Sequence, residues 1–297
     1  MSGIDFLLGN ARHSAALPHK SISGPGRGDK LLLDLFIFAL ILAMAPLVRA
    51  QSTYQVIPVA NGGTISGVIK WTGERPRSLT LPISKDPTTC DPDKNGERDL
   101  ERLVIGPDGG VENTVVFLKD VPQGKAWDLP ASRQLLDQKN CRYVPHISLV
   151  GLNSNFGIKS SDPILHTVHM VGAADYNLPF PMINVVLNRT MRKSGLIDLK
   201  CNAGHIWMNG IVLVVNHPYY AITGGNGEFR LTNVPPGEYE IVAWHEGWRV
   251  AREDLVLDVG TQTNTKRLFY TDPMTWQKKV SVSPNGHSTV DFQLSEH

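Results

Sequence analysis

Residues 201–208 read Cys-Asn-Ala-Gly-His-Ile-Trp-Met, so a thiol, an imidazole and a thioether fall within one short stretch. A second imidazole, His166, stands 35 residues upstream in the run Ile164-Leu-His-Thr-Val-His-Met170. Thiolate and thioether are soft donors, a set that selects copper over hard cations. Two imidazoles and one thiolate in a plane, with a weak axial methionine, make a blue-copper centre suited to one-electron exchange. His166, Cys201, His205 and Met208 are therefore the candidate ligands of one copper ion.

Such ligands need a rigid frame, and the chain beyond residue 60 reads as short strands separated by turns and loops. Thr64–Trp71, Arg102–Ile105, Asn113–Leu118, His146–Val150, Leu165–Val171 and Ile211–Val215 are Val/Ile-rich runs stopped by Gly, Pro and Asn turns. That spacing predicts an all-β sandwich or barrel. The only helical stretch expected is a turn or two at Ala131–Gln138, and residues 83–100 and 171–184 read as long loops. From Tyr219 to His245 the order is strand, Asn226-Gly227 turn, alternating strand, Pro235-Pro236-Gly237 turn, alternating strand. Phe229 and Leu231 share one face there, and Tyr239, Ile241 and Ala243 another. The tail Ser281–Leu294 reads as a closing hairpin or final strand.

The first fifty residues are of another kind. Arg12, Lys20, Arg27 and Lys30 precede an apolar run of 14 residues, Leu35–Val48, and Val48-Arg49-Ala50 offers a small-residue cleavage site. This is the layout of a secretory signal peptide, with an uncleaved membrane anchor as the alternative. Without residues 1–50 the chain carries 24 Lys/Arg and 25 Asp/Glu. Near-neutral charge with no basic patch argues against a nucleic-acid partner. In an oxidising compartment the cysteines Cys90, Cys141 and Cys201 leave one unpaired. Pairing Cys90 with Cys141 keeps Cys201 for metal; a bridge through Cys201 is the alternative.

Cys201, His205 and Met208, with Ser161-Asp-Pro-Ile-Leu-His-Thr-Val168 upstream, resemble the ligand motifs of the cupredoxin family over roughly residues 136–217. The resemblance implies a Greek-key β-sandwich and one type 1 copper ion. Three residues separate Cys201 from His205, where small cupredoxins often have two. Thr223–Phe229 and Val234-Pro-Pro-Gly-Glu-Tyr239 resemble the carboxypeptidase regulatory-like, or transthyretin-like, family, whose fold is often labelled carbohydrate-binding-like. The whole pattern also resembles periplasmic proteins labelled methylamine utilization protein.

Two divisions of the chain follow. In the first, residues 1–50 are the signal, 51–218 a cupredoxin-like domain with an N-terminal β extension, and 219–297 a transthyretin-like domain. In the second, residues 61–120, where Gly63–Ile69 and Val111–Leu118 also resemble the transthyretin-like opening strands, pair with 219–297 around an inserted copper domain.

His169 is expected on the strand face opposite His166, and His146, His217 and His245 are read as structural. Trp207 either shields the metal or fills a gap between sheets. No Gly-x-Ser-x-Gly, Walker loop or His-Glu-x-x-His occurs, Asp162 and Asp175 form no catalytic pair, and the His-x-His pairs of a multicopper oxidase are missing. The expectation is a secreted or periplasmic electron carrier, not an enzyme, serving a redox protein such as a cytochrome or a dehydrogenase, with no membrane span after signal removal. The alternatives are a glycan- or protein-binding module and a copper storage or delivery protein.

Overall fold

The computed structural model describes residues 54–128, 134–258 and 263–296; the signal and cleavage readings fall outside them. Among these residues the chain is almost wholly β, its one α-helix being Pro87–Cys90. Four main sheets stack face to face as two sandwiches, and three apolar layers lie between them.

The small sandwich draws on both ends of the chain. Gly63–Thr72 alternates buried and half-buried residues along its whole length, which turns Ile65, Ile69 and Trp71 inward. It pairs with Glu228–Val234 on one side and with His287–Thr289 and Phe292–Ser295 on the other. The facing sheet runs Tyr220–Ile222, Val115–Leu118, Gly237–His245, Met274–Val282. Phe229, Leu231, Ile241 and Ala243 all enter the core between them, as their alternation predicts. Gly227 closes the expected turn with φ +77°, a left-handed conformation that favours glycine. A cut at residue 218 would separate strands that hydrogen-bond to one another, because Val115–Leu118 sits between Tyr220–Ile222 and Gly237–His245.

Residues 135–215 form the large sandwich between these two passes. One sheet has the order Leu187–Thr190, Asn155–Ser160, Leu135–Lys139, Arg142–Val144. The other runs Tyr176–Phe180, His166–Gly172, Gly195–Lys200, Asn209–Val215, Ile147–Gly151. The last two of these strands are buried on both faces, hence their unbroken apolar sequence. Val150, Val212 and Val214 face the large core, while Ile147, Leu149, Ile211, Leu213 and Val215 meet Val115, Phe117, Val242 and Trp244 of the small sandwich.

Three local expectations are corrected. Leu135–Lys139 is a strand, not part of a helix, because parallel pairing with Asn155–Ser160 and burial of Leu136 and Gln138 outweigh its helical propensity. Tyr176–Phe180, inside the stretch read as a loop, is the strand edging His166–Gly172. Arg102–Ile105 forms no strand beyond an isolated bridge at Ile105. The other long loop, residues 83–100, holds the short helix and the strand Glu97–Asp99, which pairs with Thr80–Pro82.

Candidate metal centre

Strand register brings the distant donors together. Gly195–Lys200 and Asn209–Val215 form an antiparallel hairpin, so residues 201–208 are its loop. His166–Gly172 lies against Gly195–Lys200 with His169 opposite Lys200, which puts His166 and Thr167 beside the loop's first residue. The backbone N–H of Thr167 donates to Cys201 Sγ at 3.5 Å, and the N–H of Asn202 donates to Thr167 Oγ1 at 2.6 Å. These contacts anchor the loop's start on the neighbouring strand.

His166 Nδ1, His205 Nδ1 and Cys201 Sγ converge: the nitrogens are 3.2 Å apart, and the sulfur stands 3.6 Å from His205 and 4.0 Å from His166. Both histidines are 0% exposed and Cys201 only 8%. Metal–nitrogen and metal–sulfur bonds of roughly 2.0–2.3 Å would set three in-plane donors about 3.5–3.8 Å apart. The three donors therefore fit one ion after shifts of a few tenths of an ångström. Two ring nitrogens facing at 3.2 Å must have a proton between them, donated by one ring to the other, or a metal ion. Met208 ends the same loop, buried, its N–H donating to the His205 carbonyl at 3.0 Å.

Around this set the fold supplies compensating charge. Asp162 takes Nε2 of His166 at 2.9 Å and also accepts the backbone N–H groups of Asn140 and Cys141 at 2.7 and 2.8 Å. Burial works to raise its pKa, but His166 and these N–H groups outweigh burial and hold the carboxyl below its ordinary range. Burial likewise works against a charged His166, yet Asp162 and Cys201 raise it to about 9. Burial would push the Cys201 thiol up; the two imidazoles and the Thr167 N–H beside the sulfur bring it down to about 5. His205 hands its outer nitrogen to Asp86 Oδ2 at 3.0 Å.

Trp207 packs edge-on to the His205 ring at 5.5 Å and donates its indole N–H to the Cys141 carbonyl at 3.2 Å. It thus walls the site and fills the core at once. Cys90 and Cys141 are joined in a disulfide, leaving Cys201 free. Both bridge sulfurs lie within 4.8 Å of a His205 ring nitrogen, and Cys141 is equally near His166 and Asp162.

The remaining histidines stand elsewhere. His169 lies on the strand face away from His166, half-buried. His146 pairs with Glu246, His217 accepts the Tyr219 N–H at 3.2 Å, and His245 bonds the Glu246 carbonyl at 2.8 Å. Sequence reasoning noted Asp162 without a role and passed over Asp86. The Asp-Pro step at 86–87, a turn signal four residues before Cys90, was the available clue.

Residues 217–268 match the family described as BOS complex subunit NOMO1-like, second beta sandwich domain. No curated protein matches the chain. Among solved structures, a copper-containing nitrite reductase from Thermus scotoductus SA-01 is similar at 15% identity and TM-score 0.26, over 28% of this chain and 22% of that one. A reduced amicyanin variant is similar at 21% identity and TM-score 0.25, over 30% of this chain and 87% of that one. For a purple cupredoxin from Nitrosopumilus maritimus the values are 16% and 0.22, over 25% and 81%.

Proposed function

We propose that this chain binds a single type 1 copper ion through His166, Cys201 and His205, with Met208 of the same loop as a further donor, and carries electrons between proteins outside the cytoplasm. We read the large sandwich as cupredoxin-like, inserted into one transthyretin-like sandwich built from residues 61–120 and 219–297. The observation that carries the reading is the convergence of one thiol sulfur and two Nδ1 atoms within 4.0 Å in a buried setting. Soft sulfur beside imidazole favours copper, and bound copper supplies a one-electron couple.

The chain's own residues do the rest. Cys201 is held ready to bind as thiolate, so metal displaces little or no proton from sulfur near neutral pH. Buried walls and strand-anchored donors resist rearrangement when charge changes by one. The partner class is a redox protein such as a cytochrome or a dehydrogenase, and the chain itself catalyses no reaction. The disulfide suits a secreted or periplasmic setting. No helix among the described residues is long and apolar enough to cross a membrane.

Loading the purified chain with Cu(II) should produce an intense thiolate-to-copper visible band and a mononuclear EPR signal. Cys201→Ser should abolish the band while the metal-free chain keeps its β-type circular dichroism. A folded wild-type chain that takes up Cu(II) without that band would overturn the reading. Rapid Cu(I) handover with no electron exchange to a cytochrome would replace electron transfer by copper delivery.

A further inference from the structure

His205 presents no surface to solvent, although its loop lies at one end of the sandwich. What covers it is the segment Ile83–Asp99, which follows the strand Thr80–Pro82 and packs Cys90 into the large core. Asp86 meets the outer ring nitrogen of His205, and Lys85 Nζ donates to the Ala203 carbonyl of the ligand loop at 2.6 Å. Four residues after Asp86 the disulfide pins Cys90 to Cys141. Arg98 ties the far side down through the carbonyls of Cys90 and Asn140.

Asp86 holds its place by local geometry. Its backbone is left-handed, φ +48°, a conformation that aspartate tolerates better than most residues. Its carbonyl accepts the N–H groups of Thr89 and Cys90 at 3.0 and 2.9 Å, closing the single helical turn that Pro87 opens. The side chain is then aimed at His205 while its own outer edge stays 37% exposed.

A neutral imidazole carries its proton on either nitrogen, and only the bare one can bind metal. An acceptor fixed at Nε2 keeps the proton there and turns the Nδ1 lone pair inward. We propose that Ile83–Asp99 is a disulfide-fastened cap on the metal centre, and that Asp86 is the positioning residue through which it sets the tautomer and angle of His205. This rests on the copper reading above for its purpose, but not for its test. Asp162 stands to His166 as Asp86 stands to His205. Its carboxylate, however, also holds the turn at Asn140 and Cys141, so only Asp86 can be removed without undoing the frame.

The test compares wild type, Asp86→Ala and Asp86→Asn. Nitrogen NMR of the metal-free chains at neutral pH should show His205 protonated on Nε2 in wild type and in Asp86→Asn, whose amide oxygen still accepts. In Asp86→Ala the two tautomers should mix; alanine at the left-handed φ and the unpartnered His205 N–H should also lower thermal stability, a cost that Asp86→Asn should largely escape. Competition against a chromophoric Cu(I) chelator should then show Asp86→Ala binding roughly 10–100-fold more weakly, with Asp86→Asn between the two. An unchanged His205 tautomer in Asp86→Ala overturns the assignment. A wild-type chain that takes up no copper defeats the functional reading instead, and leaves the NMR result to decide the role of Asp86.

Discussion

His166 at the loop end of the large sandwich and His217 at the edge of the small one are both sealed from water, at 0% and 3% exposure. Burial alone disfavours a charged imidazole, and at His217 it prevails: with only backbone partners the ring is lowered to about 4. At His166 the same penalty is overcome by a carboxylate and a thiol, and the ring is raised to about 9. The two regions share strand chemistry and apolar packing yet treat charge in opposite ways. One end of the molecule is furnished to hold charge away from solvent, as a metal centre must be. The other keeps its buried imidazole neutral.

A third buried cluster joins the two regions and gives the comparison its strongest test. Glu246, at the end of the strand Gly237–His245, meets His146, the residue before the strand Ile147–Gly151 of the large sandwich. Arg102 Nη2 approaches its Oε2 at 2.6 Å, as a charge contact rather than an aligned hydrogen bond. The guanidinium also lies 3.6 Å over the Tyr270 ring and reaches Asn209 Oδ1 at 3.1 Å. Burial would raise the Glu246 pKa, but Arg102 and His146 hold it down, so the carboxylate stays charged. Glu246→Ala strands Arg102 without its counter-charge and should cost about 3–5 kcal/mol in urea unfolding. A loss no larger than that of a surface substitution would show that the apolar layer of Trp244 and Ile211 alone holds the sandwiches together.

The contrast in histidine charge is tested by pH. His217 is neutral in the folded chain down to about 4, whereas an unfolded histidine takes its proton near 6.5. Between those values the unfolded state binds more protons, so stability rises with pH and is lost as pH falls from 6.5 toward 4. The contribution is about 3 kcal/mol across the window, taking 1.36 kcal/mol per pKa unit. His217→Gln has no such proton to bind and should flatten that part of the wild-type profile. Parallel wild-type and variant profiles would mean that His217 titrates normally and that the contrast with His166 is not built into the fold.

How much of this could be read from the chain depends on range. Ile65, Ile69, Phe229 and Leu231 declare their inward face by alternation, and Asn226-Gly227 declares its turn, because those signals are local. Cys201, His205 and Met208 can be grouped from the sequence because they share one loop. Leu135–Lys139 is illegible locally because its conformation is imposed by a parallel neighbour 22 residues on, which no local pattern reveals. Asp86 lay hidden for the same reason: 119 residues separate it from His205, and a disulfide and a crossing loop bring them together.

Thr167 offers the finest probe of the site's side of the comparison. Its backbone N–H donates to Cys201 Sγ, while its hydroxyl accepts the Asn202 N–H and lies 3.9 Å from the same sulfur. Thr167→Val keeps the shape and the backbone donor but removes the hydroxyl. Asn202 is exposed, so water can replace its lost acceptor, and the stability loss should stay at or below about 1 kcal/mol. In the copper-loaded chain that we propose, the metal couple should respond more clearly. With one polar contact fewer, the thiolate becomes a stronger donor, favours Cu(II), and the measured potential should fall. If the potential does not move while stability drops by the expected amount, the hydroxyl serves only to pin the loop. The field at the sulfur would then be set by the backbone N–H and the two histidines alone.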